Sequence, residues 1–237
     1  MYRLYQKNEL NFSLVWIAAY IILFSTADNF SASLGFEKIL TAPASIFFML
    51  LILGFIKKHS LSKQYGLCSF KGSIKDYLYF IPLVLIASVN LWNGVTTNVS
   101  FWETILYVSS MLCVGFIEEI LFRGFLFKAM CTDHLGSAIF VSSIAFGVGH
   151  IVNLLNGRDL IPTLLQICYA TAIGFLFTII FYKGKSLWPC IILHGVFNSL
   201  SIFAVESSSL MFDIISAAAL CMICMGYALW IYRLQDE

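Results

Sequence analysis

Residues 114–127 read VGFIEEILFRGFLF and set two carboxylates and a guanidinium, Glu118, Glu119 and Arg123, inside an otherwise apolar run that extends over 101–127. A bilayer core of about 30 Å needs about 20 apolar residues of helix, so the run is long enough to span and, if straight, too long. It is therefore expected to be tilted or bent, with Gly115 as the place for a bend. A charge at mid-membrane costs about 2.5–3.5 kcal/mol on insertion scales, so three of them so close together mark a functional site. Glu119 and Arg123 are four residues apart and share a helix face, where they can neutralise each other. Glu118 points about 100° away and must find another partner or a proton. Taken alone, the trio has a structural ion-pair knot as its lesser alternative.

Outward from this run, further apolar segments of spanning length lie near 13–30, 39–56, 77–92, 137–155, 160–182, 187–205 and 210–232. The expected fold is all-α: a polytopic membrane protein of about eight transmembrane helices with a polar cavity inside the bundle. Composition agrees. The 237 residues are 60% hydrophobic and 11% charged, with mean hydropathy +0.88, against about 25% charged in a soluble domain. Little chain is left for anything else, so residues 1–237 read as a single membrane domain. A formal charge of +1 excludes the basic footprint of a nucleic-acid binder.

The loops give an independent test, because cytoplasmic loops are rich in Lys and Arg. With the N-terminus inside, the inner loops collect Arg3, Lys7, Lys57, Lys58, Lys63, Lys71, Lys75, Lys128, Lys183, Lys185 and Arg233, and the outer ones only Lys38 and Arg158. Both termini are thus expected in the cytoplasm. The 57–75 loop, which carries Leu61, Tyr65, Leu67, Cys68 and Phe70, reads as a solvated positive-inside loop, with a segment lying on the anionic inner leaflet as the lesser alternative. Arg3 and Lys7 before an apolar stretch, with Ser31-Ala-Ser33 after it, imitate a cleavable signal, but the spans that follow mark a retained first helix. Seven cysteines is an odd count, and most lie in apolar runs, which suits packing rather than a disulfide framework. Cys221 and Cys224 have redox-motif spacing inside a lipid-length helix, without the βαβ context that such a motif needs.

Only four histidines are present, and two of them, His150 in SSIAFGVGHIVNLL and His194 in SLWPCIILHGVFNSL, lie in apolar runs. Asn198, four residues after His194, shares its helix face. Counted at 1.5 Å per residue from the cytoplasmic ends, Glu118 lies about 15 Å deep, His150 about 20 Å, and His194 and Asn198 about 12 and 18 Å. Polar groups in one layer of three helices are expected to face a shared water-accessible cavity, since lipid exposure is prohibitive. Such a set supports hydrolysis. Glu118 can take a proton from water, His150 can hold that water, and His194 with Asn198 can donate to a developing oxyanion. A second version places a divalent metal such as Zn²⁺ on Glu118, His150 and His194, with an open position for water. The residues alone leave both open, although no His-Glu-x-x-His helix is present.

These elements, Glu118-Glu119-Ile-Leu-Phe-Arg123, Phe146-Gly-Val-Gly-His150 and His194-Gly-Val-Phe-Asn198, resemble the intramembrane endopeptidases of the CAAX-processing and bacteriocin-processing (CPBP, also ABI) family, over a core of about 100–205. The resemblance implies cleavage of membrane-associated or lipid-modified peptides. Glu118 and His150 would activate water, His194 and Asn198 would serve the oxyanion, and Glu119, Arg123 and Phe146 would support the site. It leaves the cofactor open, since members are described both as metalloproteases and as metal-free glutamate proteases. Bacterial relatives are associated with peptide maturation or bacteriocin self-immunity, and the short loops lean towards a bacterial plasma membrane.

Two other classes compete. Buried Glu, Arg and His also mark ion- or proton-coupled transporters, but the two related halves expected of a transporter are absent from the sequence. A non-catalytic bacteriocin-immunity or scaffold protein would not need Glu118. Asp28, Glu103, Glu206 and Asp213 sit at span edges, where water or helix N-termini can satisfy them, and His59 and His134 fall in loops.

Overall fold

A computed structural model describes residues 1–69, 81–205, 207 and 209–233, with Ile81 by its backbone alone. Phe70, Lys71, Lys75, the start of the 77–92 segment and Glu206 lie outside the described residues. A short surface helix α1 (Tyr2–Lys7) leads into α2 (Glu9–Ser33), followed by α3 (Thr41–Lys58) and α4 (Ile81–Ala87), which a 3-10 turn extends over Ser88–Leu91. The central rod is α5 (Phe101–Glu119), a π-helical stretch Ile120–Phe127 and α6 (Lys128–Cys131). Then come α7 (Leu135–Gly149) with a 3-10 turn His150–Leu154, α8 (Leu160–Gly184), α9 (Trp188–Leu200) with a turn Ser201–Phe203, and α10 (Leu210–Arg233).

Six of these helical units are long and apolar enough to cross a membrane, and Pro82–Leu91 and Trp188–Phe203 are shorter apolar helices. Together they match the eight apolar segments, and no strand occurs among the described residues. The outward faces are apolar, with Ile22, Phe47, Val84, Leu155 and Met222 mostly exposed. Water would not tolerate such a surface, whereas lipid would. The protein is an all-α integral membrane protein. The cysteines are all free; Cys113, Cys190 and Cys224 are buried as packing residues, while Cys168 is exposed on the bundle surface.

Capping and punctuation set the ends. Ser100 and Glu103 form a reciprocal capping box at the start of α5, with Ser100 Oγ accepting from the Glu103 N–H and Glu103 Oε2 accepting from the Ser100 N–H. Pro189 stands in the first turn of α9, where its missing N–H costs nothing. The departure from α geometry in the central rod falls at Ile120–Phe127, directly after the Glu-Glu pair, and not at Gly115. All eight residues of that stretch are buried, so the wider backbone is enclosed by protein and not by lipid.

Gly115 serves a contact instead. A Cβ there would lie 2.5 Å from Gly195 N and 2.8 Å from Gly195 Cα, so α5 and α9 cross glycine on glycine, the small-residue packing by which membrane helices approach closely. Gly147 does the same for α7 on α8, because a Cβ there would meet the Ile167 carbonyl and Thr171 N, each at 2.9 Å. Both crossings sit within four residues of a motif side chain. Gly115→Ala must push backbone from backbone, and a misplacement of about 1 Å can cost about 10²-fold in rate. Loss of turnover together with a lowered Tm is the expected result, while Gly54→Ala, with nothing within 4 Å of its added Cβ, leaves both intact.

Candidate active site

The crossing of α5 and α9 brings His194 between the two carboxylates. Its Nδ1 lies 2.8 Å from Glu119 Oε1 and its Nε2 lies 3.3 Å from Glu118 Oε2. Arg123 Nη1 donates to the same Glu119 oxygen at 2.9 Å, as the four-residue spacing predicts. The Glu119 and Arg123 side chains are 0% exposed, so each charge depends on the other. The guanidinium also stacks 4.2 Å from the Phe146 ring centroid and 5.6 Å from that of Phe177, a cation–π arrangement that is stronger for being desolvated.

Phe146 joins the groups. Besides carrying Arg123, its ring meets those of His150 and His194 edge-on, at 5.3 and 5.5 Å between centroids. His150 closes α7, and its Nδ1 lies 3.1 Å from the Phe146 carbonyl. A carbonyl can only accept, so that contact assigns the proton to Nδ1 and leaves Nε2 as the free acceptor. The same logic at His194 makes Nδ1 the donor to Glu119.

Glu118, which the sequence left seeking a partner, has two. Besides His194, it accepts a 2.5 Å hydrogen bond on Oε1 from the Tyr20 hydroxyl of α2. Tyr20 belongs to none of the sequence motifs. The available signal was its depth: Tyr belongs at the membrane interface, yet Tyr20 is mid-span, about 17 Å along α2 from Glu9. Asn198 is half-buried on the same face of α9 as His194.

Glu118, His150 and Asn198 line a cleft of about 430 Å³ that rises past Met111 and Tyr169 to Asp28, Lys38 and Arg158. His194 and Asn198 also line a small side cavity with His150. Asp28 accepts from Lys38 Nζ at 2.8 Å and Thr41 Oγ1 at 2.6 Å at the span edge, and Glu103 accepts from the Glu37 N–H at 3.0 Å. His59 stacks on Tyr2 at a surface turn, 3.8 Å between centroids.

The residues do not fit a metal. Both ring nitrogens of His194 are turned to carboxylates, and among the described residues no three His, Cys, Asp or Glu side chains sit where they could hold an ion together. Glu118, His150 and His194 share the site but do not form a ligand set.

Apolar helices that enclose carboxylates and imidazoles at the foot of a polar cleft define a polytopic membrane protein with an internal polar site. Residues 100–200 match the family model described as type II CAAX prenyl endopeptidase Rce1-like, which supports a CPBP/CAAX protease family assignment. The family is one of CAAX-type intramembrane peptidases, so its substrate class is protein or peptide. The matched stretch contains every motif residue, and Tyr20 lies outside it. No curated protein matches the chain. No solved structure matches it either.

Proposed function

We propose that the protein is a metal-independent glutamate endopeptidase that hydrolyses membrane-associated or lipid-modified peptides with Glu118 as general base. The observation that supports this reading best is the linear relay Arg123–Glu119–His194–Glu118 at the foot of the cleft. With Glu118, Glu119 and Arg123 ionised, the cluster carries one net negative charge, and one further proton neutralises it. Between Glu118 and His194 that proton has two possible seats, and moving it is what hydrolysis requires.

Water in the cleft is held by the His150 Nε2 lone pair and loses a proton to Glu118 as its oxygen attacks the scissile carbonyl. The oxyanion is met by Asn198 Nδ2 and by His194 Nε2–H. The 3.3 Å contact from Nε2 to Glu118 is longer than an ordinary N–H···O bond of about 2.7–3.2 Å, so that donor is not committed to Glu118. Glu118 then returns its proton to the leaving amide nitrogen as the C–N bond breaks.

The test is cleavage of quenched-fluorescent, lipid-anchored C-terminal peptides by purified protein in liposomes. Turnover is expected in the wild type with and without chelator, and a loss of about 10²-fold or more is expected in His150→Ala. Activity abolished by chelator and restored by Zn²⁺ would overturn the metal-free version, and equal turnover in His150→Ala would overturn its role. Tyr20→Phe removes a hydrogen bond to a charged group, worth about 1.5–3 kcal/mol. It should lower kcat by about 10- to 100-fold with a much smaller change in KM, because the hydroxyl orients Glu118 and does not line up substrate.

A further inference from the structure

The bundle has two chemically different ends. At one, the Tyr2 ring stacks on His59 at 3.8 Å, the Leu187 N–H donates to the Gly66 carbonyl at 2.9 Å, and Lys128 lies 5.2 Å over Phe181. This end therefore gathers α1, the turn after α3, α6 and the end of α8. At the other, Ser25 Oγ donates to Asn156 at 2.8 Å, and Asn93 and Asn98 side chains donate to the carbonyls of Val205 and Ile202. Nine of the described Lys and Arg lie at the first end: two in α1, one in the turn after α3, and the rest in or beside the last turns of α3, α6, α8 and α10. Lys38 and Arg158 alone lie at the second. Lys38 is neutralised there by Asp28 at 2.8 Å. By the positive-inside rule the first end is cytoplasmic and the second faces outward.

The cleft is just as one-sided. From Glu118 it runs towards the second end, where Asp28, Lys38 and Arg158 form its mouth. Towards the first end, on its α2 side, the site is backed by aromatic packing. Phe125 meets Phe12 at 5.0 Å, Trp16 at 6.4 Å and Tyr65 at 4.8 Å between ring centroids, and Phe12, Tyr65 and Phe125 are each 1% exposed. Among the described residues these interlocked rings fill the space between α2, the turn after α3 and the π-helical stretch.

We infer that the cleft opens on the extracytoplasmic face, and that the substrates are membrane-tethered peptides whose scissile segment is presented from outside, such as exported or outer-leaflet-anchored chains. The substrate part of this inference rests on the protease reading above; the direction of the cleft does not. A lipidated C-terminus displayed on the cytoplasmic leaflet would lie at the end opposite the mouth formed by Asp28, Lys38 and Arg158.

Both parts are tested in bacterial cells that express the protein. Arg158→Cys, at the exposed mouth, and Met111→Cys, part-way down the cleft, are treated with a membrane-impermeant maleimide in spheroplasts and in inside-out vesicles, with the unsubstituted chain as background. Labelling of both positions above background from outside is expected, and labelling of Arg158→Cys only in inside-out vesicles would overturn the orientation. A lipid-anchored reporter peptide offered to the same preparations should be cut at least tenfold faster in spheroplasts, and equal or reversed rates would overturn the sidedness of access. Absence of cutting in both preparations and in detergent, with outside labelling retained, would defeat the protease reading while upholding the outward cleft.

Discussion

Glu118→Gln is expected to abolish peptide cleavage, a fall of about 10²–10⁴-fold in kcat, while the protein keeps its fold. The substitution preserves size and leaves an oxygen to accept the Tyr20 hydroxyl, which now bonds Glu118 Oε1 at 2.5 Å. What it removes is the seat for the proton taken from water. It also removes one negative charge facing His194, so the remaining Glu119–Arg123 pair is neutral without a proton on the imidazole. His194 then has no electrostatic reason to carry Nε2–H towards an oxyanion, and base and oxyanion donor fail together. For that reason Glu118→Gln and His194→Ala should be strongly non-additive: the double variant should be little slower than either single one. Purified variants in liposomes, matched for thermal stability, give the measurement. Activity within threefold of wild type in Glu118→Gln would remove the general base from the account. A retained immunity phenotype in cells carrying that variant would favour a binding function instead.

Hydropathy carried most of the architecture, because lipid imposes length and apolarity on each span separately and both are written locally in the chain. The Glu119–Arg123 pair was legible for the same reason, since a four-residue spacing on one helix needs no knowledge of neighbours. Contacts between helices were less so. Periodicity says which side chains share a face, but not which helix that face meets, so the bond from His194 to Glu119 and the one from Tyr20 to Glu118 had no signature in the motifs. The π-helical stretch was displaced in the same way. Gly115 looked like a hinge because glycine permits bending, but its missing side chain is used for contact with Gly195, and the irregular winding moved to Ile120–Phe127. Glycine in a membrane helix has two readings, and only the packing partner separates them.

Arg123→Ala should be among the most destabilising single changes in the protein, by about 3–5 kcal/mol, because it leaves a fully buried carboxylate without its cation. Glu119 Oε1 would keep only His194 Nδ1, and the face of Phe146 would lose the guanidinium stacked 4.2 Å from its centroid. Phe146 also touches both catalytic imidazole candidates, so the vacated volume would loosen the site as well as weaken the fold. Replacing both partners with apolar residues is different, since it deletes the desolvation cost along with the attraction. Glu119→Leu/Arg123→Met should therefore recover most of the lost stability, to within about 2 kcal/mol of wild type, and remain inactive, because nothing then holds His194 Nδ1 or biases its tautomer. Thermal or denaturant unfolding of the two variants in detergent, paired with peptide turnover, separates the effects. A double variant as unstable as the single one would show that the ion pair contributes through geometry that Leu and Met cannot imitate, and an active double variant would show that His194 needs no carboxylate behind it. Recovery of the fold without recovery of turnover would place the significance of this buried charge in how it aims an imidazole, with stability as the condition it must meet.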